Sequence, residues 1–183
     1  MRRIVDSITA ICLVSCLMIV CLTPAAVAAD TFRHIPSMDI YFSPRGGCTQ
    51  AIIREIEDAR SEILIQAYSF TSAPIARALV SAHRRGVRVV AIMDKSQQGR
   101  EYTSATFLVH AGIPVYIDSV HAIAHNKIMI IDRKRVITGS FNFTKAAEEK
   151  NAENLQIIRS EEVADLYRKN FDHHLGHSEF YQR

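Results

Sequence analysis

A chain of 183 residues, 48% of them hydrophobic and 22% charged, bounds the protein to one domain large enough for a real core. Its formal net charge of +3 is too mild to argue for nucleic acid by itself, so any such contact has to come from a local patch. Three of the four cysteines (Cys12, Cys16, Cys21) fall in an N-terminal segment that reads as a leader, which leaves Cys48 alone and excludes an intrachain disulfide in the remainder.

That segment has Arg2-Arg3, a largely apolar uncharged run over 8–22, then Thr23-Pro24 and the small residues Ala25-Ala26-Val27-Ala28-Ala29. The order predicts a secretory signal peptide over 1–29 and export to the periplasm or beyond. The alternative is an uncleaved anchor, because the 22 uncharged residues of 8–29 just span a bilayer. Pro24 and the small-residue end favour cleavage, after which no stable membrane association is expected. Leu13-Val14-Ser15-Cys16 imitates a lipoprotein box, but the apolar run continues past Cys16. Residues 30–183 are expected to form a single domain.

Within it, 38–42 reads as a first strand, closed by Ser43-Pro44 and Gly46-Gly47. Cys48, Ile52, Ile56 and Ala59 at helical spacing predict an amphipathic helix over 48–60, with the Cys48 thiol buried. A buried strand follows at 62–70. A helix from Thr71-Ser72 carries Pro74 in its first turn and stops at Gly86. Strand 87–93, helix 102–111 and strand 113–117 come next. Strands 127–132 and 135–139 make a hairpin, and a short helix at 145–149, a strand at 155–158 and a helix from Glu161 to about His174 complete the chain. Alternating strands and helices predict an α/β fold, an α-β-α sandwich on a mainly parallel mixed sheet, with the hairpin inserted late.

The hairpin carries the chemistry. HNKIMIIDRKRVITGSFN contains His125-x-Lys127, then Asp132 after four residues, and Gly139-Ser140-x-Asn142 after six more. Six specified positions at about one chance in twenty arise by accident on the order of 10⁻⁸ per starting point. A turn centred on Arg133-Lys134 sets His125 opposite Asn142 and Lys127 opposite Ser140, so four polar groups converge on one patch. Asp132 is five residues from Lys127, hence on the other face, and about 23 Å along the strand from His125, so it is expected to be structural. The basic turn 133–135 lies at the same far end and reads as a solvated tip. An imidazole acts as nucleophile or proton donor near neutral pH, while Lys and Asn donate to phosphoryl oxygens. Phosphodiester chemistry follows.

His125, Lys127, Asp132, Gly139, Ser140 and Asn142 match the HxKxxxxDxxxxxxGSxN signature of the phospholipase D superfamily. With the continuation FTKAAEEKNAEN over 143–154, the chain resembles the small plasmid-encoded bacterial endonucleases of that superfamily over 36–175. The resemblance implies a metal-independent phosphodiesterase of one motif per chain, without cofactor, working through a phosphohistidine. It further implies that Lys127, Ser140 and Asn142 bind the phosphate, that Glu153 accepts a proton from the other ring nitrogen of His125, and that Asp132 and Gly139 are structural parts of the motif. Spacing alone does not choose Glu153 over Glu148 or Glu149.

Such a displacement needs two proton-handling groups, yet His34, His83, His110, His121, His173, His174 and His177 all lack a lysine two residues on. A homodimer joined through the active-site face, with two copies of His125, resolves this. A metal is not expected: His173-His174-x-x-His177 has no accompanying Cys or acidic ligand and reads as surface or capping residues. His121 and His125 lie in a loop entering a strand, and Asp94 reads as a loop cap. The expected substrate is DNA, with RNA second, cleaved without sequence preference. Lys95, Arg100, Lys145 and Lys150 are candidate phosphate contacts, Phe141 and Phe143 read as core, and no inserted apolar loop suited to gripping lipid is evident. The alternatives are a phospholipase D acting on membrane lipids and a non-catalytic nucleic-acid-binding dimer.

Overall fold

The computed structural model describes residues 29–98 and 104–182, so the leader apart from Ala29, together with Arg100, lies outside the described residues. Phe32–Arg183 form one compact unit. Its elements run β1 (Ser37–Ser43), α1 (Cys48–Glu57), β2 (Glu62–Ala67), α2 (Ala73–Arg84), β3 (Arg88–Asp94), α3 (Ser104–His110), β4 (Val115–Asp118), β5 (Lys127–Ile131), β6 (Arg135–Gly139), α4 (Lys145–Glu149), β7 (Glu153–Arg159), α5 (Glu161–Leu175) and β8 (Glu179–Phe180). The strands form one sheet in the order β1-β7-β6-β5-β2-β3-β4-β8.

Strand parity makes this a sandwich. Ile63, Ile65 and Ala67 of β2, Val89, Ala91 and Met93 of β3, and Met129 and Ile131 of β5 share a face with α1, α2 and α3. The intervening residues Leu64, Val90, Ile92, Ile128 and Ile130 face Val163, Ala164 and Phe171 of α5. Central strands apolar on both faces have to be covered on both sides, which is why they read as unbroken apolar runs. Phe70, Phe141, Phe143 and Phe171 are fully buried, each contributing about 2–3 kcal/mol of hydrophobic stabilisation. Cys48 is a free, buried cysteine, and its thiol is pushed up to about 11 by burial and then by the Glu148 charge. Ser160 caps α5 by accepting from the Val163 N–H, and Glu161 and Glu162 at its start with His173 and His174 at its end complement the helix dipole. Among the described residues no helix is long and apolar enough to cross a membrane.

The sandwich is the one expected, but its sheet is less parallel. Only β2–β3 and β3–β4 run parallel, and the other pairings are antiparallel. Parallel neighbours need a crossover such as α2 or α3. The β4–β5 connection carries no helix, so β5 returns antiparallel along the other side of β2.

The hairpin register also differs by one residue. Met129 pairs with Ile137, Ile130 with Val136 and Ile131 with Arg135, around a three-residue turn of Asp132, Arg133 and Lys134. Asp132 and Arg133 take positive φ values of 53° and 55°, and the Lys134 N–H donates to the Ile131 carbonyl at 3.0 Å. A two-residue turn on Arg133-Lys134 would have placed His125 opposite Asn142. The observed frame removes that pairing, because a one-residue slip reverses every facing relation.

Candidate active site

The HxK and GSxN residues lie at one end of the hairpin, where β5 starts and β2 and β6 end. Lys127 opens β5 opposite Ala67, and the Tyr68 N–H just beyond β2 donates to the Asn126 carbonyl at 2.8 Å. That bond brings the Tyr68 ring against His125, with centroids 4.5 Å apart. The Lys127 ammonium lies 5.1 Å from the Tyr68 ring centre and donates to the His125 carbonyl at 2.7 Å. His125 itself is exposed, so its ring is reachable from solvent. Lys127 is only 6% exposed. Burial pulls its ammonium below the ordinary lysine range, and the Glu153 carboxylate works against that shift.

Gly139 explains the first letter of the GSxN pattern. Its φ is 140°, and a Cβ there would sit 2.3 Å from the Asn154 carbonyl oxygen. The missing side chain lets the Ser140 and Phe141 N–H groups donate to that carbonyl at 3.1 and 3.2 Å, while the Ser140 hydroxyl accepts from the Asn154 N–H at 3.0 Å. Phe141 and Phe143, buried on either side, seat Asn142 between them. Phe143 bridges Phe70 and its carbonyl accepts from the Thr71 and Ser72 N–H groups, which ties the segment to the start of α2. The Asn142 Oδ1 is buried without a hydrogen-bond partner among the described residues.

The structure separates the three glutamates that spacing left equivalent. Glu148 accepts from the Gly47 and Thr49 N–H groups at 3.0 and 2.7 Å, capping α1, and Glu149 pairs with Lys145 at 3.6 Å. Of the three, Glu153 is the one whose charge acts on Lys127. Its carboxylate accepts from Asn151 Nδ2 at 3.1 Å, and among the described residues no hydrogen bond joins it to the His125 ring. A His125–Glu153 bond is thus not made within one chain.

Asp132 lies at the far end of the hairpin. Its carboxylate accepts from the Arg60, Ser61 and Glu62 N–H groups, the Ser61 hydroxyl and Arg135 Nη2. Burial pushes this carboxyl up, but the backbone donors outweigh it and hold it below its usual value. Arg133 of the basic tip bonds Asp165 at 3.0 Å. Lys95 donates to the His121 carbonyl at 3.0 Å, and Lys145 and Lys150 are exposed. Asp94 accepts from the Ser96 and Ala124 N–H groups, both at 2.8 Å, which is the capping role expected of it.

Two features escaped the sequence. Tyr68 was hidden as one more aromatic in a strand, although a lone phenol closing an apolar run is a usable signal. The histidines near the C-terminus have no Cys or acidic ligand in the His173-His174-x-x-His177 run itself. The structure supplies one, because β4 brings Asp118 against His174 and His177 from 56 and 59 residues away.

Residues 52–175 match the family described as cardiolipin synthase, PLD-like domain. A phospholipase D of Rickettsia felis is 47% identical over 130 residues, which span 71% of this chain and 65% of that protein. This chain thus spans slightly less than two thirds of that relative's length. Among solved structures, a phospholipase D family member, Nuc from Salmonella typhimurium, superposes with a TM-score of 0.75 at 34% identity, over 80% of this chain and 99% of that one. NucT from Helicobacter pylori gives 0.73 at 25% identity, over 79% and 99%.

Proposed function

Because the chain belongs to the phospholipase D superfamily of PLD-like phosphodiesterases, we propose that it is an exported, metal-independent endonuclease that cuts DNA, and RNA second, in a site shared by two subunits. The observation that carries this reading is the exposed His125 ring set against Tyr68 beside the buried Lys127 ammonium. The resemblance of 125–154 to the small bacterial endonucleases of the superfamily directs the choice toward nucleic acid, and Nuc, a phospholipase D family member, matches over nearly all of its length.

In the proposed reaction a ring nitrogen of His125 attacks phosphorus and the P–O bond to the leaving nucleotide breaks. The partner subunit's His125 gives that oxygen its proton. The partner subunit's His125 then takes a proton from water, whose oxygen attacks the phosphohistidine, displacing phosphorus from His125 and restoring both rings. The Lys127 ammonium and the Asn142 amide N–H groups donate to the non-bridging oxygens, where charge builds up. Desolvation makes the Lys127 charge count for more than it would in water. Ser140 adds a hydroxyl donor, and the Glu153 carboxylate opposes the lowering that burial imposes on the Lys127 ammonium.

A second reading, a phospholipase D, is favoured by one observation. Val120 and Ile123 are 66% and 59% exposed on the loop that leads to His125, an apolar surface beside the site. The name of the Rickettsia relative points the same way. Purified protein is offered plasmid DNA and phosphatidylcholine vesicles in parallel, in EDTA and well below its unfolding temperature. Degradation of DNA without choline release is the expected result. Choline release instead establishes the lipase, and a gel shift without cleavage establishes a binding protein. Light scattering during size exclusion is expected to give a dimer, and full activity as a monomer would sink the shared site.

A further inference from the structure

Outside the His125 pocket, Asp118 lies wholly buried at the end of β4, and three imidazoles aim at one of its oxygens. His121 Nδ1 is 2.9 Å from Oδ2, His174 Nδ1 is 2.8 Å away and His177 Nε2 is 3.3 Å away. The ring of His121 lies with its centroid 4.8 Å from that of His174 and 5.2 Å from that of His177, which are themselves 5.3 Å apart. A carboxylate oxygen offers about two lone-pair directions, so three ring donors oversubscribe it. Its other oxygen is already committed, because Oδ1 accepts from the Val120 and His121 N–H groups at 3.2 and 3.4 Å and lies 3.1 Å from His121 Nδ1. That leaves the carboxylate fixed in orientation with Oδ2 facing the rings. Burial pushes the carboxyl up, but the bonds from His174, His121 and His177 outweigh it, so Asp118 is an anion.

One donor atom from each of the four side chains lies within 4.8 Å of the others. Three imidazole nitrogens and a carboxylate oxygen are a zinc-binding set, and tetrahedral zinc with bonds of 2.0–2.1 Å holds its ligand atoms about 3.3 Å apart. The three separations from Oδ2 already lie at or below that spacing. His174 sits in the last turn of α5 and His177 just beyond it, whereas His121, its side chain 43% exposed, lies on the loop after β4. The sequence carries the same gap twice, Asp118-x-x-His121 and His174-x-x-His177. Gln66, buried with neither amide atom partnered among the described residues, lines a pocket with Asp118 and His174.

We propose that Asp118, His121, His174 and His177 bind one zinc ion that ties the loop before His125 to the end of α5. Four protein ligands close the coordination shell, which makes the site structural. Asp94 clips the same loop three residues further on through the Ala124 N–H, so the ion fixes the part of the loop that Asp94 does not reach. The site does not depend on the reaction assigned to His125.

The full chain, stripped with chelator and dialysed, is titrated with zinc chloride by calorimetry, with metal content measured after gel filtration. One zinc per chain is expected, with the unfolding midpoint raised by roughly 5–10 °C at a hundredfold excess over Kd. His121→Ala and His177→Ala, each checked for fold by circular dichroism, are expected to weaken zinc at least about a hundredfold. His173→Ala and His125→Ala keep the stoichiometry. No stoichiometric zinc in the unaltered chain, zinc that survives in both His121→Ala and His177→Ala, or zinc lost with His125→Ala overturns the proposal.

Discussion

The β5–β6 hairpin has two ends, and they solve opposite problems with the same kinds of residue. At the turn, the Asp132 carboxylate is saturated by donors from 60–62 and by Arg135. At the open end, Asn142 Oδ1 is buried without a partner among the described residues, Lys127 is desolvated beside Glu153, and the His125 ring stands exposed against Tyr68. A polar group that is buried and fully paired anchors the fold, whereas one that is buried and left short of partners has bonding capacity held for a ligand. The motif is therefore two devices joined by a strand.

The comparison breaks first at the open end. His125→Ala is expected to lower phosphodiesterase turnover at least about 10⁴-fold, since removal of a covalent nucleophile leaves only positioning and charge stabilisation. The unfolding midpoint should not move, because the ring is exposed. Lys127→Met is expected to cost about 10²–10³ in turnover, the scale of one preorganised donor at developing charge. Its midpoint should hold or rise, because a charge that burial disfavours is replaced by an apolar chain of similar length. Parallel kinetics and thermal melts check both variants. A midpoint that falls with activity would make Lys127 an anchor like Asp132.

The turn end should respond in the reverse way. Asp132→Asn is expected to cost about 3 kcal/mol, the scale of breaking a buried charged hydrogen-bond set, while the folded fraction keeps its specific activity. The folded pKa of Asp132 is depressed, so its contribution is present above the unfolded value of about 3.9 and is lost as pH falls through the folded value. Urea denaturation at pH 7 and pH 3 measures this. The gap between the variant and the unaltered chain should narrow at pH 3. Asp94 and Asp118, also depressed, are common to both proteins and cancel in the difference.

The contrast between the two ends also marks how far the sequence could be read. Apolar runs such as ILI in β2 and VVAIM in β3 announced buried strands, because a chain covered on both faces has no polar alternation to display. The spacing of His125, Lys127 and Asp132 told which groups share an end, since strand rise fixes distance along a hairpin. Register was beyond reach, because Asp132 and Arg133 adopt left-handed backbone that their side chains only weakly favour, and that set a three-residue turn. Long-range pairings were hidden for a different reason. Tyr68 against His125, Glu148 at the start of α1, and Asp118 beneath His174 each join segments whose meeting depends on strand order, and no local pattern records it.

Ser140 lies between the two devices and gives the smallest effect. Its hydroxyl oxygen accepts from the Asn154 N–H at 3.0 Å, as an anchoring group would, while its own proton remains available to a phosphate oxygen, as a catalytic donor would. Ser140→Ala removes both. The exposed Asn154 N–H finds water in exchange, so the stability cost is expected to be about 1 kcal/mol. Loss of one neutral hydrogen bond to substrate lowers kcat/KM by roughly tenfold or less. Turnover reduced to the level of His125→Ala would place Ser140 among the reacting groups and shift the boundary between the two devices by one residue toward the strand.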